Sequence, residues 1–225
     1  MCSSDLAHAP PRIVVVSADA NSSNAAHTTH ATKGERRNIF LFPLGTVLFP
    51  GGVLPLKIFE QRYLHMTKAC LRDNLPFGVC LIREGHEVGA PAVPSIVGCL
   101  ATIEQWEMPN LGMFHLLARG GERFRLFETS IADNGLTSAD VEMLPDVAPC
   151  EPDAEFVTLV KSVIDRLGVE NFPQPVKLDD GAWVAYRLAE MAGLPMAVRQ
   201  RMLEAEAGSE LVNEVKNSKI GRAHV

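Results

Sequence analysis

A segment over residues 42–63 restricts what this chain can fold into more than any other part of it. It reads FPLGTVLFPGGVLPLKIFEQRY, an apolar run that is interrupted by three prolines and three glycines. Prolines lock the backbone φ angle and remove amide donors, so the segment cannot form one helix or a central strand. It is also too apolar for an ordinary exposed loop. We therefore predict short segments joined by tight turns, with Gly51 and Gly52 allowing a reversal into a strand over Val53–Phe59.

Strand patterns continue through residues 38–144. The further candidates are Ile39–Leu41, Phe77–Arg83, Val97–Glu107, Met113–Ala118, Arg123–Glu128 and Leu136–Met143. The four residues Arg119–Glu122 include two glycines and predict a hairpin turn between two of these strands. A helix is predicted over residues 60–71, with one apolar face formed by Phe59, Tyr63, Met66 and Cys70. Several short strands with turns between them indicate a closed or strongly curved sheet.

Beyond residue 145 the pattern changes to that of helices. Three prolines form a linker, and Asp153 is placed to cap a helix that ends at Gly168. Asp179 or Asp180 caps the next helix. A third helix begins at Pro195, and a weaker helical signal covers Leu211–Val215. The sequence thus predicts an α+β fold, with a β-rich lobe over residues 38–145 and a small α-helical bundle lobe over residues 146–218.

The two ends of the chain are left out of the functional interpretation. Met1–Leu6 and Lys219–Val225 read as translations of a common sequencing adapter, one strand at each end, and we interpret them as such. The rest of residues 1–37 is rich in Ala, Ser, Thr, Asn and His without a sustained period. This composition predicts a disordered tail or a non-native leader. His27 and His30 lie in this tract without further ligands, so a metal pair is the weaker interpretation.

The amino-acid composition makes several classes of function unfavourable for this chain. The net charge of -6 and the pI of about 5.6 are unfavourable for binding a phosphate backbone. No apolar run approaches the roughly 20 residues that span a bilayer, and the N-terminus lacks the order of a signal peptide. The five cysteines include no CxxC pair. They predict reduced, mostly buried thiols in a cytoplasmic protein.

No pattern in the sequence marks a catalytic, cofactor or metal site. GxxxxGK[ST], GxSxG and HExxH are all missing, and His65, His86 and His115 do not have ligand spacing. Serine residues have no evident His, Asp or Lys partners. We therefore predict no catalytic residue, no metal and no cofactor, and we predict that the chain is not an enzyme.

One basic cluster allows two interpretations. Arg119, Arg123 and Arg125 surround Phe124, which is a pattern that can stack nucleic-acid bases. The other interpretation is a hairpin whose arginines point outward and pair with Glu122 and Glu128. The acidic overall charge favours the hairpin.

Several motifs together resemble the substrate-binding (N-terminal) domain of Lon protease. IFLFPLGTVLFPGGVLPLKIFEQRY resembles the start of that domain, and the similarity continues in LPFGVCLI, VGCLATI, GGERFRLF and the RLAE…LP…RQRMLE pattern. The resemblance implies a PUA-like β-barrel or curved sheet followed by a helical lobe. The positions that we take as its structural signature are Pro43, Pro50, Gly51, Gly52, Phe59, Tyr63, Gly78, Gly98, Gly120 and Phe124.

The resemblance also implies a function. Walker motifs and a peptidase sequence are missing, so the chain looks like a stand-alone bacterial member without the ATPase and peptidase domains. It would be a cytoplasmic, non-catalytic module that binds unfolded or partner polypeptides, with an ATP-dependent protease as a candidate partner and no membrane association. The candidate binding residues are Leu48, Phe49, Val53, Leu54, Lys57, Glu60 and Arg62. For each apolar residue of this set, core packing is the competing interpretation. RNA binding through a PUA-like fold is the alternative function, and a small-molecule enzyme in a cleft between the lobes is the third.

Overall fold

The computed structural model of the protein describes residues 34–218. The predictions for the adapter-like ends, and for His27 and His30, lie outside the described residues. The strands are β1 (Arg36–Leu44), β2 (Val53–Ile58), β3 (Phe77–Glu84), β4 (Val93–Pro94), β5 (Val97–Asn110), β6 (Met113–Ile131) and β7 (Thr137–Met143). The helices are α1 (Gln61–Asp73), α2 (Ala154–Leu167), α3 (Gly181–Met191), α4 (Met196–Glu204) and α5 (Gly208–Asn217), with a 3-10 turn at Val169–Asn171.

Five of the strands close into a ring. Their order is β1-β7-β6-β5-β3, and β1 completes the ring by pairing in parallel with β3. The remaining pairs of the ring are antiparallel. β2 pairs with β6 and β4 pairs with β3, both outside this path. The predicted α+β class with a closed or strongly curved sheet is therefore confirmed.

The ring separates two apolar clusters. The smaller cluster takes alternate residues from all five ring strands and fills the inside of the ring: Ile39, Leu41, Cys80, Leu100, Phe124, Ala139, Val141 and Met143. The larger cluster lies on the outer face, where Phe42 and Leu44 of β1 pack in the same core as the helices. Strands and helices therefore share one core, and the lobe boundaries at residues 145 and 146 stay a prediction.

Helices α2 and α3 begin at the capping residues that the sequence predicts. The Asp153 side chain accepts hydrogen bonds from the amides of Glu155 and Phe156, at 3.0 and 3.4 Å, and begins α2. Asp180 does the same for α3 by accepting from the amides of Ala182 and Trp183. These carboxylates satisfy amides that have no partner inside the helix. Both caps are confirmed, and the weak signal near Leu211–Val215 corresponds to α5.

The predicted hairpin at Arg119–Glu122 is wrong, because β6 runs without a break from Met113 to Ile131. Neither Gly120 nor Gly121 has a positive φ angle. The amide of Gly120 instead donates to the carbonyl of Gly52 at 2.8 Å, and the amide of Gly51 donates to the carbonyl of Gly120 at 2.8 Å. A Cβ at position 120 would collide with the carbonyl oxygen of Phe49. Gly120 thus permits the close approach of two backbones. In the sequence, a glycine that is needed for close approach cannot be told from one that is needed for a turn.

The two aromatic residues of the predicted apolar helix face, Phe59 and Tyr63, behave differently. Tyr63 is buried, and its ring centroid lies 4.1 Å from that of Phe42. Phe59 precedes the helix and is 54% exposed, so its predicted packing role is wrong. β1 also begins at Arg36, ahead of the predicted start of the β lobe, and continues through Pro43.

We expect Gly120→Ala to lower the free energy of unfolding by about 1–3 kcal/mol, because the new methyl group meets backbone that cannot move aside. Gly121→Ala is the matched control, since a Cβ there would have its nearest neighbours at 3.7 and 3.8 Å. Urea denaturation followed by circular dichroism measures both changes. Equal stabilities of the two variants would contradict the close approach at Gly120.

Candidate functional site

A groove of about 340 Å³ runs beside β2. Its walls come from β2, the end of β1, the start of α1 and the loop after β3. The lining residues are Phe42, Leu44, Thr46, Leu54, Pro55, Leu56, Lys57, Ile58, Phe59, Glu60, Tyr63, Glu87 and Val88. The groove is thus largely apolar and carries one basic and two acidic side chains.

Polar contacts hold the two ends of this groove in place. Glu87 in the loop after β3 accepts a hydrogen bond from the amide of Gly45 at 2.6 Å. Arg62, only 6% exposed, forms an ion pair with Glu60 at 3.0 Å and lies over the ring of Tyr63. Both acidic side chains of the groove are therefore already occupied.

The predicted binding residues divide into exposed and buried sets. Val53 is 40% exposed and Leu54 is half-buried, and Leu54, Lys57 and Glu60 line the groove together. Leu48 and Phe49 are buried. The predicted place of Phe49 on a binding surface is therefore wrong, whereas Leu48 lines a cavity next to this groove. The Phe49 ring stacks on Tyr186 of α3 at 4.8 Å between centroids. The sequence around Phe49 does not reveal this partner, which lies more than a hundred residues further along the chain.

A second cavity of about 350 Å³ adjoins the first at Thr46 and Leu54, which line both. Its other wall comes from the helical part of the chain and includes Leu167, Phe172, Arg187, Glu190, Met191 and Arg199. Sequence reasoning missed these residues, because their helical spacing is equally compatible with ordinary surface and core positions. Together the two cavities form a continuous surface on both sides of Leu54.

A cluster of one buried and two half-buried charged side chains forms the floor of the second cavity. Arg187 is 1% exposed, and its Nη2 donates to the carbonyl of Pro50 at 3.1 Å and to Glu190 Oε1 at 2.9 Å. Arg199 donates to the carbonyl of Val47 at 3.2 Å. Burial raises the pKa of Glu190 against the effect of the neighbouring Arg187, and burial lowers the pKa of Arg199. The cluster holds the loop between β1 and β2 against α3 and α4.

The basic cluster proposed for RNA does not form an exposed patch. Arg123 is buried and donates to the carbonyls of Leu203, Ala205 and Pro145 at 2.9, 2.5 and 2.8 Å. Arg119 pairs with Glu104 and not with the predicted Glu122 or Glu128. Arg125 is exposed. The prediction of three outward arginines is therefore wrong at Arg123, whose carbonyl partners lie far away in sequence.

Metal-binding clusters and membrane-spanning helices are two features that residues 34–218 do not provide. No group of three or more His, Cys, Asp or Glu side chains in that range could hold a metal ion. His65 and His86 are exposed, and His115 Nδ1 lies 2.9 Å from Glu107 on the hairpin formed by β5 and β6. None of the described helices is long and apolar enough to cross a membrane.

Sequence reasoning also missed an apolar tip on the hairpin that joins β5 and β6. Trp106 and Met108 are about half exposed, and Leu111 is 97% exposed. With Leu64 and Leu71 of α1 they border a groove of about 500 Å³. The alternating pattern of β5 indicated a strand here, but not that the strand would extend past its core contacts.

Comparison with known proteins identifies the family. The sequence profile of the ATP-dependent protease La (LON) substrate-binding domain matches residues 38–215. The chain belongs to this family. Two Lon proteases are 26% and 27% identical to this LON domain, from Paraburkholderia phytofirmans over 91% of the chain and from Anaeromyxobacter dehalogenans over 80%. The chain spans about a quarter of the length of these two relatives.

Solved structures agree with this assignment. A Lon N-terminal domain protein from Xanthomonas campestris has 32% sequence identity and a TM-score of 0.64, covering 80% of this LON domain and 96% of its own chain. The N-terminal domain of a Mycobacterium avium complex Lon protease has a TM-score of 0.61 at 16% identity, covering 84% of this chain and all of its own. The second likeness supports the fold alone.

We expect Arg123→Ala to lower the free energy of unfolding by about 2–4 kcal/mol, because three carbonyl oxygens lose one charged donor. Arg125→Ala removes the same charge from an exposed site on the same strand, and it should change stability by less than about 0.5 kcal/mol. Thermal and urea denaturation distinguish the two. A stable Arg123→Ala variant would show that these hydrogen bonds contribute little.

The four described cysteines are free thiols, as the sequence predicted, and three of them are buried. Burial raises the pKa of Cys70 to about 11 and that of Cys99 to about 12, and it also raises the pKa of Cys80. The thiolate is the reactive form, so a raised pKa suppresses alkylation at neutral pH. We expect iodoacetamide at pH 8 to label Cys150 first among the described cysteines and the other three only after unfolding, as mapped by mass spectrometry. Rapid native labelling of Cys70 would contradict this expectation.

Proposed function

We propose that the chain is a non-catalytic module that binds unfolded or partner polypeptides in the groove beside β2. The observation that carries the proposal is the groove itself, which combines an apolar lining with exposed aromatic surface at Phe59 in a domain of the LON substrate-binding family. Burial of apolar side chains is non-directional, so it suits clients of varied sequence.

The apolar lining of the groove, the exposed ring of Phe59 and the adjoining second cavity all support binding of a polypeptide. Leu54, Leu56 and Tyr63 line it at partial or full burial, while Phe59 stands more than half exposed at its margin. Hydrophobic surface of this kind marks interaction sites in many proteins. The second cavity extends the surface past Leu54 and adds Val53 to it. An extended client therefore has continuous apolar surface along both cavities.

The partner and setting form part of the same proposal. We propose a bacterial, cytoplasmic protein whose candidate partner is an ATP-dependent protease, because the relatives it matches are named Lon protease. The matched profile is that of the substrate-binding domain. The absence of enzymatic activity stays a prediction. RNA binding receives no support from the arginines, since Arg123 is used within the core.

The test is retention of an unfolded model protein, such as reduced and carboxymethylated α-lactalbumin, on immobilised domain. We expect Phe59→Ser to weaken this binding by about tenfold, because it removes exposed apolar area equivalent to roughly 1.5 kcal/mol or more. Leu111→Ser is the matched control, since it removes an exposed apolar side chain from the β5–β6 hairpin.

Two results would contradict the proposal. One is the absence of binding by the unmodified domain. The other is an equal loss in Leu111→Ser and Phe59→Ser, which would place binding outside the groove or make it unspecific. We expect both variants to remain folded, because both side chains are exposed, and circular dichroism checks this.

A further inference from the structure

We propose that a bound polypeptide adds as a new strand to the outer edge of β2, with an acidic side chain opposite Lys57. This inference rests on the proposed function and specifies how the same groove recognises a client. Its starting point is the pairing of β2. Among the described strands β2 pairs with β6 alone, so its second edge has no strand beside it.

The direction of each backbone group on β2 follows from the ladder with β6. The amide of Gly120 donates to the carbonyl of Gly52, and the register continues without a shift from Val53 opposite Arg119 to Ile58 opposite Phe114. Backbone groups alternate between the two edges of an antiparallel strand. Residues 54, 56 and 58 therefore bond to β6, while residues 53, 55 and 57 direct their backbone groups to the free edge.

Pro55 agrees independently with this assignment. Proline has no amide hydrogen, so within a sheet it is tolerated where the missing donor would face away from the paired strand. Pro55 sits in the middle of β2 opposite Leu117 without a break in the register. The free edge therefore offers the amides of Val53 and Lys57 as donors and three carbonyl oxygens as acceptors, with a gap in donors at Pro55.

The groove lies along this free edge. Its lining includes every residue from Leu54 to Glu60, so it takes side chains from both faces of β2. A groove on one face of a strand would take alternate residues only. Another extended backbone satisfies the repeated donors and acceptors of such an edge, as in strand-addition complexes.

The alternation of side chains along β2 then specifies the sequence pattern of the client. Leu54, Leu56 and Ile58 face the core, while Val53, Pro55 and Lys57 are exposed. An added strand repeats this alternation, so every second residue packs beside Leu54 and Leu56 and the others face solvent. The client segment is therefore apolar at alternate positions.

The charge of Lys57 at the free edge of β2 specifies one solvent-facing residue of the client. Glu60 pairs with Arg62 and Glu87 accepts from the Gly45 amide, whereas Lys57 makes no hydrogen bond or ion pair among residues 34–218. Glu87 keeps its negative charge, because a neutral amide donor does not cancel it. Lys57 is the one basic side chain that lines the groove, and its charge has no ion-pair partner among residues 34–218. A carboxylate on the added strand, placed opposite Lys57 on the same face, complements it.

The experiment measures fluorescence anisotropy of a labelled heptapeptide with Val at alternate positions and one central Asp. Two N-methylated forms carry methyl groups on alternate amides, one form on each set. Only one set of amides faces β2 in an added strand. We expect one form to bind at least tenfold more weakly and the other within about twofold of the parent peptide.

Charge reversal provides the second measurement. Lys57→Glu should weaken binding of the Asp peptide about two- to fivefold and strengthen binding of the matching Lys peptide by a similar factor, as expected for one cross-strand charge pair. Lys68→Glu is the matched control, because Lys68 is an exposed lysine on α1 outside the groove. It should leave both affinities unchanged.

The outcomes separate this inference from the proposed function. If the parent peptide binds and both N-methylated forms bind equally, strand addition is wrong while polypeptide binding stands. Retention of unfolded protein without binding of any peptide also overturns strand addition. If neither unfolded protein nor peptide binds, the proposed function fails, and strand addition fails with it. An equal response to Lys57→Glu and Lys68→Glu overturns the acidic preference.

Discussion

The hydrogen bond from the Arg187 guanidinium to the Pro50 carbonyl is the interaction on which the arrangement of this domain most depends. It joins a helix near the end of the chain to the loop between the first two strands, and Glu190 balances its charge. A guanidinium that is 1% exposed requires partners, because an unpaired buried charge is very costly. The loop, α3 and α4 are consequently held together, and β2 leaves the loop in one direction.

Close backbone approach is the second constraint, and it acts from the opposite side of the same loop. β6 passes directly beneath Phe49 and exchanges hydrogen bonds with Gly51 and Gly52. Gly120 makes this possible, since any side chain would collide with the loop. The loop is thus packed between β6 on one side and Arg187 and Arg199 on the other. Its apolar residues Leu48 and Phe49 are buried in the core, and β2 beside it keeps one edge without a strand partner among the described residues.

Local patterns predicted much of the fold because they depend on neighbours in sequence. Asp153 and Asp180 cap helices through amides two and three residues away, and the α+β order follows from periodicity. The errors have the opposite origin. Gly120 was interpreted as part of a turn and Phe49 as a surface residue, since their partners lie far along the chain. Arg123 looked like an outward charge for the same reason. Leu54, Lys57 and Glu60 line the groove together because they share one short segment, whereas the sequence did not predict the cavity wall from α3 and α4.

The sequence by itself determined the class of fold, the helix caps, the free thiols and the family, since each of these depends on local composition, spacing or motif. The tertiary structure alone decided which apolar residues of the 42–63 segment are buried and which edge of β2 is free. It also decided that Arg123 and Arg187 act inside the molecule. These properties depend on burial and on long-range pairing. An apolar or basic side chain has the same appearance in sequence whether its partner is the core or a client, and only folding brings the deciding carbonyls and rings into contact.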